Sequence, residues 1–351
     1  DETIDLTLVA EVTPPDIDND IVQATTVYIR GNFAIISYNM QGSTYKGALD
    51  IIQFKNITKP TITSRVLFSD MDINGLTYSG SYIYVTGAKQ NPAGDAARIE
   101  VIKHTGGKAT VEEHRGVFLE SYAGTSAESA DGYIYATTGD DGGVYAFTKK
   151  DLQQLDFKPF SDARWVDASK AVVVVAQGTP GQISVLDFNG TAFSFIRDFD
   201  FRGADIPEAK TQFEIVGDHL FIGAGSGGVQ VHRLDDGSKV AEIALPGTNL
   251  DDSVVKTNAV SVYDKLVFIS NGEAGVYVAY SPETIRNIAA GSPITLSMGG
   301  KLQFGENQSV NHITHRNSYL FIAAGLGGLK IVRVENSNRG DDTWDEEQED
   351  D

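Results

Sequence analysis

The stretch SYLFIAAGLGGLKIVRV, residues 318–334, decides how this 351-residue chain folds. A run of aromatic and β-branched residues leads into a glycine-rich turn, and a second run follows in which apolar and polar residues alternate. Such residues suit a pleated, packed surface, and alternation with a period of two is typical of a strand with one buried face. The stretch therefore predicts two antiparallel β-strands joined by a tight turn.

The first half of this pattern occurs seven times along the chain. Its copies are NFAIISYN (32–39), YIYVTG (82–87), YIYATTG (133–139), AVVVVAQG (171–178), HLFIGAG (219–225), KLVFISNG (265–272) and YLFIAAG (319–325). The glycines that close the last six copies lie about 48 residues apart on average, which is the period of a four-stranded propeller blade. We therefore predict an all-β fold, a seven-bladed β-propeller with four-stranded blades, formed as one domain by residues 1–338.

The outermost strands of the blades predict how the ring closes. Further β-rich runs complete blades one to six at residues 61–68, 111–118, 153–160, 193–201, 239–246 and 293–300. Blade seven has no such run, whereas IDLTLVAEV at residues 4–12 is spare. A ring of blades has no open sheet edge if the first strand pairs into the last blade, so we expect residues 4–12 to form the outermost strand of blade seven.

Two segments lie outside this strand pattern. SPETIRNI at residues 281–288 predicts one or two helical turns inserted in blade six, with Ser281 as the cap and Pro282 at the first helical position. Residues 339–351 hold eight acids and one arginine and are expected to form a solvated acidic tail, because like charges repel one another.

Parts of the chain resemble LVIVD repeats. The resemblance is carried by the segments GALDIIQFKNITKPTI (47–62), SYLFIAAGLGGLKIV (318–332) and GGLKIVRVEN (327–336). It implies a seven-bladed propeller of the bacterial extracytoplasmic type, periplasmic or on the cell surface, with any lipid anchor attached upstream of Asp1. It supplies no catalytic residue that could be assigned to this chain.

Charge and composition exclude several classes of function. The chain has 48 acidic against 28 basic residues, a net charge of -20, which argues against a nucleic-acid or anionic-membrane surface. The absence of cysteine excludes disulfides, thiolate metal sites and cysteine nucleophiles. No apolar run is long enough to cross a bilayer. We expect a monomer with a protein or glycan ligand, no nucleic-acid partner and no transmembrane segment.

Small polar residues recur where the inner strand of each blade should begin. Counting back eight residues from the first residue of the aromatic run gives Thr or Asn in six blades, and Ala163 beside Arg164 in blade four. A ring of hydroxyls and amides at the mouth of the channel could hold a polar ligand, or it could satisfy backbone groups where the strands begin. The candidate ligand-binding residues are Thr25, Asn74, Thr125, Glu128, Arg164, Trp165, Thr211, Gln212, Asn258, Asn311 and His312.

The predicted propeller and its candidate residues are compatible with two functions. The first is a binding scaffold that recognises a protein or glycan through one face of the propeller, where the long turns at residues 38–47 and 89–97 should both lie. The alternative is a hydrolase or lyase that uses carboxylates or Ca²⁺ at the channel mouth, with Glu128, Asp167 and Glu214 as nearby acids.

Metal ligands are sparse in the sequence. DIDND at residues 16–20 places Asp16, Asp18 and Asp20 at alternate positions, and these are the candidate Ca²⁺ ligands, although the loop lacks the glycine and glutamate of an EF-hand. His312 and His315 are three residues apart on an expected strand and should point to opposite faces, which argues against zinc. No cofactor other than Ca²⁺ is expected.

Overall fold

The computed structural model describes residues 3–169 and 172–336, which form seven antiparallel sheets arranged as the blades of a propeller. Strand β1 (Ile4–Val12) and the short pair β2 (Asp16–Ile17) and β3 (Asp20–Ile21) precede the first blade. Blade one comprises β4 (Gln23–Arg30), β5 (Phe33–Asn39), β6 (Gly47–Gln53) and β7 (Thr61–Phe68). Blade two comprises β8 (Met71–Ser79), β9 (Tyr82–Lys89), β10 (Ala97–Thr105), β11 (Lys108–Val111) and β12 (Val117–Phe118). Blade three comprises β13 (Ser126–Ala130), β14 (Tyr133–Thr137), β15 (Gly142–Thr148) and β16 (Gln154–Phe160).

The remaining blades repeat the same order from the channel outward. Blade four comprises β17 (Ala163–Ser169), β18 (Val172–Gln177), β19 (Gln182–Phe188) and β20 (Phe193–Asp200), and blade five comprises β21 (Phe213–Val216), β22 (His219–Gly223), β23 (Val229–Arg233) and β24 (Lys239–Ile243). Blade six comprises β25 (Ala259–Tyr263), β26 (Leu266–Ser270), β27 (Val276–Tyr280) and β28 (Ser297–Leu302). Blade seven includes β29 (His312–Arg316), β30 (Tyr319–Ala323) and β31 (Leu329–Asn336). The predicted seven-bladed, four-stranded architecture is confirmed.

The predicted closure of the ring is also confirmed. β1 pairs antiparallel with β31, so that Ile4 lies opposite Asn336 and Val12 opposite Leu329, with a bulge between Leu8 and Ala10. The order of the last sheet is β1-β31-β30-β29, which makes β1 its outermost strand. The amino end of the chain therefore completes the blade formed by the end of the described chain.

Seven apolar clusters fill the spaces between neighbouring blades. Between blades one and two, for example, Ile35 and Leu49 pack in one cluster with Ile73 and Val85. The side chains of each sheet point to its two faces and each face meets the next blade, so the strands of a propeller are apolar on both faces. This explains why runs such as VVVVA in β18 lack alternation.

The sequence-based boundaries differ from the structure in several places. The outer strand of blade six, predicted at residues 293–300, lies at Ser297–Leu302, and that of blade five ends at Ile243 and not at residue 246. The outer strand expected at 111–118 in blade two is split into β11 and β12, because residues 112–116 form a turn in which the Arg115 N–H donates to the Glu112 carbonyl (3.0 Å). The helical segment of blade six is reduced to a 3-10 turn at Ile285–Asn287. Ser281 does not cap this turn, and its hydroxyl instead accepts the N–H of Glu283 (3.2 Å).

The two faces of the ring differ in loop length. In the six blades where this connection belongs to the described residues, the first and second strands are joined by a two-residue turn, as between Arg30 and Phe33. The opposite face, here called the loop face, carries the connections between blades and those between the second and third strands. The loops at 40–46 and 90–96 both belong to it, as predicted, and the blade connections at 201–212 and 244–258 are longer still.

Two further observations complete the fold. Within residues 3–169 and 172–336, no helix is both long and apolar enough to cross a membrane. The acidic tail predicted for residues 339–351 lies outside the described residues.

Candidate binding site at the mouth of the channel

The Thr and Asn positions predicted from the repeat form a ring of hydrogen bonds between blades. Five of the six side chains donate to a backbone carbonyl at the start of the inner strand of the next blade. The bonds run from Thr25 Oγ1 to the carbonyl of Ile73 (2.9 Å), Asn74 Nδ2 to Gly124 (2.9 Å), Thr125 Oγ1 to Ala163 (2.8 Å), Asn258 Nδ2 to Val310 (3.0 Å) and Asn311 Nδ2 to Ala24 (2.9 Å). The backbone-satisfying role left open by the sequence is therefore present at five of these positions.

Arg164 bridges blades four and five, where no Thr or Asn is available. Its Nη1 donates to the carbonyls of Ala204 (2.8 Å) and Ala209 (2.9 Å) and to the hydroxyl of Thr211 (3.2 Å). Its Nη2 also pairs with Asp162 at 2.7 Å. Between blades five and six the contact is made by the backbone, because the N–H of Gln212 donates to the carbonyl of Asn258 (3.1 Å).

Deeper in the channel, acceptor side chains satisfy the N–H groups of the inner strands. Glu214 Oε2 accepts from Val262 (2.9 Å), and His312 Nδ1 accepts from Val27 (3.1 Å). The Nδ1 contact assigns the His312 proton to Nε2, and burial lowers the pKa of this ring to about 4. His315 instead bonds Ser261 toward blade six (2.9 Å), so the two histidines point to opposite faces, as predicted.

Burial dominates the ionisation of the channel carboxyls. It raises the pKa of Glu214 to about 8 and also raises the pKa of Asp167. The pKa of Glu128 is well above its usual range, first because of burial and second because of the negative charge of Asp167. At neutral pH the interior of the channel therefore carries less negative charge than three ionised carboxylates would give it. The indole ring of Trp165 faces His312 there, with ring centroids 5.9 Å apart.

Glu214 should make the stability of the protein depend on pH. Because its folded-state pKa lies above the ordinary value of 4.5, the folded state holds the extra proton, and the free energy of unfolding should fall as pH rises from about 4.5 to about 8. Glu214→Gln keeps an oxygen for the Val262 N–H and removes this fall. We expect the stability of the variant relative to the wild type to increase by roughly 4 kcal/mol between pH 5 and pH 9.

Urea unfolding at the two pH values measures this gain. The exposed Glu113, changed to Gln, is the matched control and should follow the wild type at both. If Glu214→Gln loses stability equally at pH 5 and pH 9, the titration of Glu214 has no part in the pH dependence.

The described residues contain no group of three or more His, Asp or Glu side chains that could hold a metal ion. In the predicted Ca²⁺ loop, Asp16 Oδ1 accepts the N–H of Asn19 (2.8 Å). Lys46 Nζ lies 2.7 Å from Asp20 and 3.7 Å from Asp18, so a lysine supplies the positive charge beside these acids. Ca²⁺ binding at Asp16, Asp18 and Asp20 stays a prediction.

A polar cavity of about 250 Å³ opens at the loop-face end of the channel. Its walls come from blades one, five, six and seven, and three of the predicted residues line it: Thr25, Asn258 and Asn311. The other predicted residues lie outside this lining, at the remaining blade junctions or deeper in the channel. A ligand-binding role for the ring stays a prediction, and the cavity shows which of its members a ligand could touch.

Two lysines of this cavity were missed by the sequence analysis. Lys210 and Lys256 line it beside Glu208 and lie in the long connections 201–212 and 244–258, whose lengths the repeat does not fix. Lys256 is 3.9 Å from Glu208. Burial lowers the pKa of Lys210, and the positive charges of Lys256 and Arg164 act in the same direction, against the charge of Glu208. The sequence contains one signal for Lys210, which is that this lysine directly precedes the predicted ring residue Thr211.

Comparison with known proteins identifies the fold and no family. No protein-family model and no curated protein matches the chain. The crystal structure of the RRP9 WD40 repeats matches with a TM-score of 0.67 and 11% identity, over 94% of this chain and 100% of that one. The structure of U3-55K gives 0.66 and 11% over 94% and 98%, and the computationally designed Ika8 protein gives 0.54 and 13% over 93% and 99%. The chain is thus a seven-bladed propeller similar in fold to WD40 repeats, and the LVIVD resemblance stays a prediction.

Proposed function

We propose that the protein is an interaction scaffold whose loop face binds a basic protein partner. The propeller fold fits such a role, since its WD40-like neighbours share a rigid ring with loops gathered on its faces. Function tends to reside in loops that a rigid scaffold positions. The distribution of charge on the loop face carries the proposal.

The loop face is strongly acidic. Among the described residues of its connections, eleven exposed carboxylates stand against one exposed arginine, Arg202. A single-sign surface attracts a partner of opposite charge and raises the rate of encounter. The carboxylates belong to Asp16, Asp18, Asp95, Glu120, Asp140, Asp141, Asp205, Glu208, Asp251, Asp252 and Glu306.

Large apolar side chains are exposed among these acids. Tyr122 is 67% exposed, Ile21 59% and Leu326 44%, and all three lie in loop-face connections. Buried aromatic and aliphatic anchors supply much of the affinity of protein interfaces, whereas surrounding charges supply specificity and on-rate. The face therefore combines the two kinds of group that a basic partner with an apolar centre would need.

The test is affinity purification followed by reconstitution with the purified partner. We expect Tyr122→Ser with Leu326→Ser to weaken binding at least about tenfold, as loss of an anchor usually does. Leu67→Ser with Phe195→Ser is the matched control, because both residues are about half exposed on outer strands, away from the loop face. Affinity should also fall as salt is raised. Equal loss in both double variants, or no salt dependence, would refute the proposal.

The proposal includes an extracytoplasmic location, periplasmic or on the cell surface, which the LVIVD resemblance supports. Fractionation of cells that express the full-length gene tests it. A glycan is the second candidate ligand, because the channel-mouth cavity is lined mainly by hydroxyls, amides and charged groups. A glycan array with the intact protein separates this candidate from the protein partner.

The hydrolase or lyase alternative has one observation in its favour. Glu128 and Asp167 are close enough for the charge of one to raise the pKa of the other, as in pairs of carboxyls that share a proton. Asp167, however, accepts the backbone N–H of Ala168 (2.7 Å), which gives it a structural role. Loss of any measured activity in Glu128→Gln, with stability unchanged, would favour the alternative.

A further inference from the structure

We propose that the cavity at the channel mouth binds a small hydroxylated carboxylate, with Lys210 as the residue that pairs with the carboxylate group. This inference is independent of the protein-binding function, because it concerns the recessed centre of the loop face and not its exposed rim. It follows from three properties of the cavity: an unpaired cation, a lining of neutral polar groups, and acids that limit how much negative charge can enter.

The unpaired cation is Lys210. Arg164 is committed to Asp162 and to blade five, and Lys256 lies 3.9 Å from Glu208. For the half-buried Lys210, no hydrogen bond or close ion pair is found in the part of the chain that the structure describes, and the negative charge of Glu208 acts on it only from farther away. A partly desolvated cation without a partner is costly, and an anion that pairs with it recovers the lost interaction.

The lining indicates what the rest of the ligand looks like. Hydroxyls and amides of Thr25, Ser253, Ser309, Gln23 and Asn311 surround the cavity, and its described lining includes no aromatic ring. An apolar ligand usually packs against aromatic and other apolar side chains, and no aromatic ring lines this wall. Hydroxyl groups, by contrast, can both donate to and accept from such a wall. The volume of about 250 Å³ is several times the roughly 30 Å³ that one water occupies in the liquid.

Two carboxylates restrict the charge of the ligand. Glu208 and Glu273 line the cavity together with the lysines. A dianion such as phosphate would meet both acids, whereas a single carboxylate can pair with Lys210 and direct its hydroxyls toward Glu273. The chemistry that fits is one negative charge on a polyhydroxylated body, as in a sugar acid.

Binding should also change the protonation of Lys210. Burial, Lys256 and Arg164 all lower its pKa, and Glu208 opposes them. A bound carboxylate would raise this pKa again, so proton uptake should accompany binding at alkaline pH. Calorimetry in two buffers of different ionisation enthalpy measures that uptake independently of affinity.

The experiment is isothermal titration of the intact protein with glucuronate, glucose and inorganic phosphate. We expect heat of binding with glucuronate, none with glucose, and weaker binding of phosphate. Lys210→Met should weaken glucuronate binding about 10- to 100-fold, since a hydrogen bond to a charged group is lost. The exposed Lys55, changed to Met, is the control for removal of one positive charge and should bind as the wild type does.

Thermal unfolding shows whether each variant is folded. Lys256→Met is the second variant if Lys210→Met fails to fold. It should weaken glucuronate binding by a smaller factor, because Lys256 already has Glu208 beside it. Absence of glucuronate binding, equal binding of glucose, phosphate binding as tight as glucuronate binding, or unchanged affinity in the lysine variants would each overturn the proposal. Because the partner assay uses Tyr122 and Leu326, either proposal can fail without the other.

Discussion

Deletion of residues 1–12 will leave a chain that cannot maintain the propeller. The deletion removes the fourth strand of blade seven, which pairs with β31 from Ile4 opposite Asn336 to Val12 opposite Leu329. It also uncovers the apolar cluster between blades six and seven, in which Ile4 packs with Phe268 and Val332. We expect a loss of more than about 5 kcal/mol, comparable with the whole stability of many domains, and aggregation through the exposed edge.

Single substitutions on the same strand sharpen this test. Ile4→Ala should cost about 2–4 kcal/mol because Ile4 is 3% exposed, whereas Leu8→Ala should cost under about 1 kcal/mol because Leu8 is 40% exposed. A synthetic peptide of residues 1–13 should restore soluble, folded protein when added to the truncated chain during refolding. A truncated chain that unfolds cooperatively with the stability of the wild type would show that closure by β1 is dispensable.

The sequence was sufficient for the architecture because each blade repeats the same physical requirement. A strand buried on both faces needs β-branched and aromatic residues, and the tight turns around it need residues that tolerate positive φ, such as Gly31 (φ 56°) and Asp264 (φ 51°). These requirements recur in every blade and so mark the period. The outer strand of blade two was misplaced because an exposed edge strand imposes little pattern on its residues, and the turn at 112–116 interrupts it.

The candidate site was predictable only where it follows the repeat. The offset from the aromatic run located Thr25, Asn258 and Asn311, because equivalent positions in the blades meet around the axis. It could not reveal that their donors are already bonded to the next blade, since these contacts join residues 48 and 52 positions apart for Thr25 and Asn258, and 287 positions apart for Asn311. Lys210 was missed for a related reason: it lies in an insertion of one blade, and no repeat fixes where such a loop places its charge.

Arg164→Met will be the most costly single substitution at the channel mouth. The guanidinium holds blade four to blade five through Ala204, Ala209 and Thr211, and it neutralises Asp162, whose side chain is only 14% exposed. Methionine fills a similar volume but donates no hydrogen bond, so two carbonyls and one mostly buried carboxylate lose their partner together. Breaking a mostly buried ion pair by removing one member typically costs about 3–5 kcal/mol, and we expect a loss in that range.

The double variant separates the two parts of this cost. Adding Asp162→Asn to Arg164→Met removes the unpaired charge and should recover about half of the lost stability, because the carbonyls of blade five still lack a donor. Arg202→Met is the matched control. Arg202 is 77% exposed, and its ion pair with Glu242 (3.5 Å) is open to solvent, so its loss should cost under about 0.5 kcal/mol. Urea unfolding of the four proteins measures these differences. If the double variant is no more stable than Arg164→Met, then the lost bonds at the blade junction, and not the unpaired charge of Asp162, account for the loss of stability.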